Sequence, residues 1–128
     1  MTVVRALLFT DVVDSTRLAE QMGDAASAVL WVAHDRYARD LLPRWRGREI
    51  DRTDGLVLMF DGADDAVGYA LAYHAALARL EPPLKARAGV HVGPVTLREN
   101  SATDVALGAK PLEVEGIAKS IAARVMAT

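Results

Sequence analysis

From Val3 to Thr10 nearly every residue is apolar, several are β-branched, and a strand of that composition needs cover on both of its faces. This stretch calls for a sheet in which it lies near the centre, with other elements stacked against it. The run meets Asp11, which is expected to end the strand, and then Asp14, Ser15 and Thr16, residue types that open helices. Asp14 or Ser15 is expected to cap the next helix, whose first-turn amides would face the same corner as Asp11. A carboxylate beside free helix amides can take a divalent cation and a polyphosphate together.

The periodicity of the rest supplies the neighbours. Residues 15–22 favour helix, Gly23 breaks it, and Asp24 can cap a longer helix in which Ala26, Leu30, Ala33, Tyr37 and Leu41 recur at intervals of three and four. Pro43 marks its end. Arg48 to Thr53 and Leu56 to Phe60 read as strands joined by Asp54-Gly55, a dipeptide suited to a tight hairpin. Asp61 is expected to cap a helix with Val67, Ala70, Leu71, His74 and Leu77 on its inner face, closing at Glu81-Pro82-Pro83. Two strands, Ala86 to Val92 and Val95 to Leu97, are expected on either side of a turn at Gly93-Pro94. The polar stretch from Arg98 to Lys110 reads as a loop, and Val114 to Ala127 as a last helix.

This order fits an α/β (α+β) domain with a ferredoxin-like sheet and helices packed on one face. A right-handed crossover makes the first two strands parallel, and the third then lies between them and antiparallel to both. The end of the first strand meets the start of the third, so Asp11 and Asp54 reach one edge although they are far apart in sequence. Two carboxylates there can share metal ions, which in phosphoryl chemistry stand about 3.5 to 4 Å apart.

Composition limits the function classes. The chain has 128 residues, 52% hydrophobic and 25% charged, which describes one domain with a core large enough to need no staple. It contains no cysteine, which fits a reducing compartment. A formal net charge of -2 offers no broad footprint for nucleic acid. No apolar run approaches the roughly 20 residues needed to cross a bilayer, and Arg5 interrupts the N-terminal stretch before it could serve as a signal segment. A cytoplasmic domain with neither membrane nor nucleic-acid contact is expected.

Four blocks, Phe9-Thr10-Asp11-Val12-Val13-Asp14-Ser15-Thr16, Asp54-Gly55-Leu56-Val57-Leu58-Met59-Phe60, Gly89-Val90-His91-Val92-Gly93 and Ala122-Ala123-Arg124-Val125-Met126, resemble in order the catalytic domain of class III nucleotidyl cyclases. The resemblance covers nearly the whole chain, and its first block is the most specific. It implies conversion of ATP or GTP to a 3′,5′-cyclic nucleotide and pyrophosphate, by a homodimer whose active sites are shared across the interface. It assigns two Mg2+ or Mn2+ ions to Asp11 and Asp54, with Val12 beside them. Phosphate contacts fall to Val13, Asp14, Ser15 and Thr16. It also makes Arg124 the cation that stabilises charge on the α-phosphorus, a task suited to a planar guanidinium.

Departures from the family pattern are specific. Ile50 stands where many adenylate cyclases carry a base-reading lysine, and Thr53 replaces a glycine. Ser120 replaces a ribose-orienting asparagine with a shorter group that has fewer donors. Counting back from Ser120 makes Glu113 the second base contact, with Glu115 as competitor, so the choice between adenine and guanine stays open. The resemblance implies further strands, and often a phosphate-binding lysine, beyond Thr128. The domain is thus expected to lack its C-terminal strands and to leave an edge or apolar surface that favours self-association.

Each residue also has a plainer role. Asp11 can be a salt-bridged strand-end acid and Asp54 a turn residue tolerant of positive φ. Residues 14–16 can be helix caps, and Arg124 a cation on a helix C-terminus. His34 and His74 fit no metal spacing, and Trp31 and Trp45 suit core or interface packing. A catalytically degenerate module serving nucleotide binding or regulatory dimerisation is the alternative to an enzyme. A diguanylate cyclase is a remoter rival, because the hairpin lacks a Gly-Gly-Asp/Glu-Glu-Phe-like turn.

Overall fold

Strand β1 (Thr2–Val12) is the axis of the fold, with Ala6, Leu7 and Leu8 wholly removed from solvent, as its two-sided apolar pattern requires. A computed structural model describes residues 2–52 and 55–116. Helices α1 (Ser15–Met22) and α2 (Asp24–Asp40) follow, separated by Gly23 at φ 83°. A 3-10 turn at Pro43–Trp45 leads into β2 (Arg48–Arg52) and β3 (Leu56–Phe60), and then α3 (Ala63–Leu77), β4 (Ala86–Glu99), α4 (Ala102–Ala106) and β5 (Leu112–Glu115) complete the described chain. The sheet order is β2-β3-β1-β4-β5, with every neighbouring pair antiparallel. β3 therefore separates β1 from β2 and runs against both, which is the expected ferredoxin-like arrangement.

Even-numbered residues of β1 face the helices. Ala6, Leu8 and Val12 pack with Leu58 and Phe60 of β3, Leu30 and Ala38 of α2, and Tyr69, Tyr73 and Leu77 of α3. The opposite face buries Leu7, Ile50, Val57, Met59 and Val95 beneath Leu112 and Val114, so the β4 and β5 ends curl over it. Among the described residues, α1, α2 and α3 thus pack on one face of the sheet, as the element order implies.

Several local expectations are corrected. α3 begins at Ala63 with Gly62 as its cap residue, not Asp61. β1 continues past Asp11 to Val12. β4 runs unbroken through Gly93-Pro94, because Pro94 pairs with Val4 of β1 while β5 joins β4 only from Thr96 onward. At Pro94 the outer side of β4 meets no described strand, so a residue without an N–H removes no ladder bond there. Arg98 and Glu99 extend β4, and α4 interrupts the expected loop, capped by Ser101 Oγ accepting from the Asp104 amide at 3.1 Å. Val114 and Glu115 belong to β5 rather than to a helix. Leu112 and Val114 point inward while Glu113 and Glu115 point outward, a period of two. The remainder of the expected last helix lies outside the described residues.

The helix faces are also rotated from expectation. In α2 the buried residues are Leu30, His34 and Ala38, whereas Ala26 and Tyr37 are exposed. In α3 they are Ala66, Tyr69, Tyr73, Ala76 and Leu77, while Val67 and Leu71 are 49% and 68% exposed. The stacked Tyr69 and Tyr73 rings, 5.8 Å between centroids, supply the area that the aliphatic pattern assigned elsewhere. Trp45 packs beside α3, where a Cβ on Gly68 would come within 2.2 Å of its ring. Among the described residues no helix is long and apolar enough to cross a membrane.

Candidate active site

Asp11 is the penultimate residue of β1 and lies opposite Arg87 of β4 in the strand register. The Arg87 guanidinium donates to Asp11 Oδ2, and among the described residues Oδ1 has no hydrogen bond. A carboxylate with one oxygen held and the other open keeps acceptor capacity for a cation. The adjoining groove, of about 570 Å³, is lined by Asp11, Val12, Asp14, Ser15, Thr16 and Glu20, with Arg17 and Arg87 as its cations.

The entry to α1 is unusual in two respects. Asp14 takes the N-cap position at φ 56°, and its side chain makes no capping bond, so the carboxylate is not spent on the helix. The Val13 amide donates to the Lys85 carbonyl at 2.8 Å and is committed to that bond. Ser15, Thr16 and Arg17 therefore supply the amides that helix geometry leaves without intrahelical partners. These are the groups that face an anion at such a corner.

Hairpin β2–β3 closes over the end of β1. A Cβ on Gly55 would lie 1.6 Å from the Thr10 carbonyl oxygen and 3.3 Å from Asp11 Cα, so only glycine permits this approach. Next to it the Leu56 amide donates to Thr10 Oγ1 at 3.2 Å. Gly55 and Leu56, at the start of β3, are thus held beside the end of β1. Asp54 itself, with Thr53, Ser120 and Arg124, lies outside the described residues.

Behind this corner is a second cavity of about 320 Å³, lined by Thr10, Trp31, His34, Arg52, Gly55 and Tyr73 among others. His34, only 2% exposed, places Nε2 at 2.7 Å from the Tyr73 hydroxyl and Nδ1 at 2.9 Å from Asp35 Oδ1. Asp35 Oδ2 in turn meets Arg52 Nη1 at 2.6 Å. Burial lowers the pKa of His34, and the hydrogen bond and charge of Asp35 offset that only in part. Burial raises the Asp35 carboxyl, but the hydrogen bonds from Arg52 and His34 outweigh it and leave the pKa lowered. Burial pushes the Tyr73 phenol up to about 12, against an opposing interaction with the Thr10 hydroxyl. The consistent protonation is therefore a phenol donating to neutral His34 Nε2, and Nδ1–H donating to an ionised Asp35.

The structure brings Asp11, Val12, Asp14, Ser15 and Thr16 together at one groove. Ile50 is 7% exposed and packed in the apolar cluster on the opposite face of the sheet, next to a surface cavity that also includes Lys110 and Leu112. Glu113 is half-buried on β5, opposite Arg98, and accepts from Asn100 Nδ2 at 3.4 Å. Arg87, His34, Asp35, Arg52 and Tyr73 were not singled out from the sequence as members of this site. An even spacing along β4 could have placed Arg87 across from Asp11, but nothing local marks the other four. Among the described residues no cluster of three His, Cys, Asp or Glu forms a metal site by itself.

No family model matches the chain, and no curated protein does. Solved structures do. A bacterial light-regulated adenylyl cyclase superposes with a TM-score of 0.81 at 17% identity, over 99% of this chain and 70% of that one. The guanylate cyclase domain of RhGC from Catenaria anguillulae, in complex with GTP, gives 0.80 at 15% identity, over 98% and 72%. The adenylyl cyclase CyaB from P. aeruginosa gives 0.79 at 18%, over 99% and 74%. At these identities the likeness concerns architecture, and by that measure the chain has the fold of the class III adenylyl and guanylyl cyclase domains.

Proposed function

We propose that the chain is the catalytic core of a class III nucleotidyl cyclase, turning ATP or GTP into a 3′,5′-cyclic nucleotide and pyrophosphate. The observation that carries this reading is the meeting of Asp11, at the end of β1, with the hairpin whose Gly55 packs against Thr10 and Asp11, in a fold shared with solved adenylyl and guanylyl cyclases. In the reaction the ribose 3′-oxygen bonds to the α-phosphorus, the bond from that phosphorus to the bridging oxygen of the β-phosphate breaks, and the 3′-hydroxyl proton leaves to solvent.

The donor chemistry fits two Mg2+ or Mn2+ ions. Asp11 has one carboxylate oxygen open among the described residues, the Val12 carbonyl is an oxygen donor beside it, and Asp54 is the second carboxylate on the hairpin. Such ions supply Lewis-acid charge that eases loss of the 3′-hydroxyl proton and stabilises the departing pyrophosphate. Amides of Ser15 and Thr16 hold phosphate oxygens, Arg124 stabilises charge at the α-phosphorus, and Ser120 orients the ribose. The resemblance assigns the base to Ile50 and Glu113, of which Ile50 is buried in the apolar cluster. The acting unit is a cytoplasmic homodimer with shared sites.

The test is incubation of the full-length protein with Mn2+ and ATP or GTP, with Asp11→Ala as control. Cyclic nucleotide from the wild type and at least about a hundredfold less from the variant is expected. Equal product from both ends the reading. Turnover is expected to be slow, because an apolar Ile50 and a short Ser120 each forgo a hydrogen bond worth about 1 to 3 kcal/mol in the transition state. The burial of Ile50 in the apolar cluster also favours a second reading, a nucleotide-binding or dimerising module without turnover. Calorimetric binding of a triphosphate without product would identify it.

A further inference from the structure

Both ends of the β2–β3 turn are anchored, and the anchors are tied to each other through the core. On one side Arg52, the last residue of β2, meets Asp35 of α2 at 2.6 Å. On the other side the Leu56 amide, at the start of β3, donates to Thr10 Oγ1. Between them, Asp35 accepts from His34, which accepts from Tyr73, whose phenol oxygen interacts with the Thr10 hydroxyl. Asp35 is the common acceptor of the series, taking His34 on one carboxylate oxygen and Arg52 on the other.

We infer that Tyr73, His34, Asp35 and Arg52 are positioning residues that hold the β2–β3 hairpin, at Arg52 and Leu56, against the end of β1 beside Asp11. The geometry is that of a clamp. His34 and Tyr73 are inaccessible, so their partners are fixed by packing, and a buried hydrogen-bond chain that is fully satisfied specifies one arrangement. Arg52 is the outer end, with its side chain 35% exposed and held by Asp35. The consequence for metal affinity rests on the cyclase reading given above, whereas the consequence for the hairpin does not.

Two variants of the full-length protein test this. Tyr73→Phe keeps the ring and deletes the hydroxyl, while Arg52→Gln sits near the surface and leaves the core intact. Amide hydrogen exchange and Mn2+ binding, followed by electron paramagnetic resonance with the metal alone, are measured for each. Exchange at residues 55–58 is expected to quicken about tenfold in both variants while the centre of β1 stays protected. Mn2+ affinity is expected to fall by about the same factor, and Arg52→Lys should recover part of each loss. Arg36→Ala, in the exposed Arg36–Asp40 pair on the same helix, should alter neither. Unchanged exchange at 55–58, or acceleration spread evenly over β1 and α3, overturns the clamp. Local acceleration together with no Mn2+ binding by the wild type upholds the clamp and overturns the metal reading.

Discussion

Gly55 occupies a place where a single methyl group decides the geometry of the site. A Cβ there would stand 1.6 Å from the Thr10 carbonyl oxygen, so Gly55→Ala must lift the hairpin away from β1. The expected result is a loss of about 1 to 3 kcal/mol in a urea titration, together with loss of Mn2+ binding. His34 yields a prediction with a defined sign. Its pKa is lowered below 6.5 by burial, so the unfolded chain takes up a proton before the folded one does. Stability is therefore complete above that value and falls as the pH drops below it, toward the folded-state pKa. The groups facing the ring are Asp35 and Arg39 of α2, Arg52 of β2 and Tyr73 of α3. Thermal melts from pH 7.5 to 5 should show this decline, and His34→Gln should flatten it.

Among the elements, α3 contributes most to the helical face through Tyr69, Tyr73 and Leu77, all fully buried. Leu77→Ala is expected to cost about 2 to 5 kcal/mol, read from the denaturation midpoint. The sequence pattern made the elements from β1 to α3 legible in existence and order, because β1 is apolar on both faces and Gly23, Pro43 and Pro82 punctuate the chain, but it missed α4 and β5. It placed α2 and α3 along the chain but not their rotation. His34, Tyr69 and Tyr73 each stand one position from a residue expected on the inner face (Ala33, Ala70 and His74), and each is buried by satisfying its polar atom inside the core. Gly93-Pro94 misled for the opposite reason. A turn signal is local, whereas strand β4 is held by eleven partners on β1 that extend on both sides of it. The candidate site was half legible. Its acid and its hairpin glycine stand in recognisable local patterns, but the groups behind them come from α2, α3 and β4 and meet only in three dimensions.

For the whole molecule, the two sheet faces are treated differently. One is closed by helices, the other by the curl of β4 and β5 over Leu7, Val57 and Met59. This division leaves a groove between the β1 terminus and the start of α1 at one end of the sheet, outside both cores. In the cyclase reading the catalytic unit is a pair of chains, so specific activity should rise with protein concentration, and sedimentation at matched concentrations would show dimer formation in parallel.

The ion pair across β1 and β4 shapes how such a pocket idles. With Arg87 opposite, Asp11 does not stand as a bare negative charge. In the cyclase reading, loading a divalent ion then exchanges one positive neighbour of Asp11 for another, and the resting corner is spared an uncompensated charge.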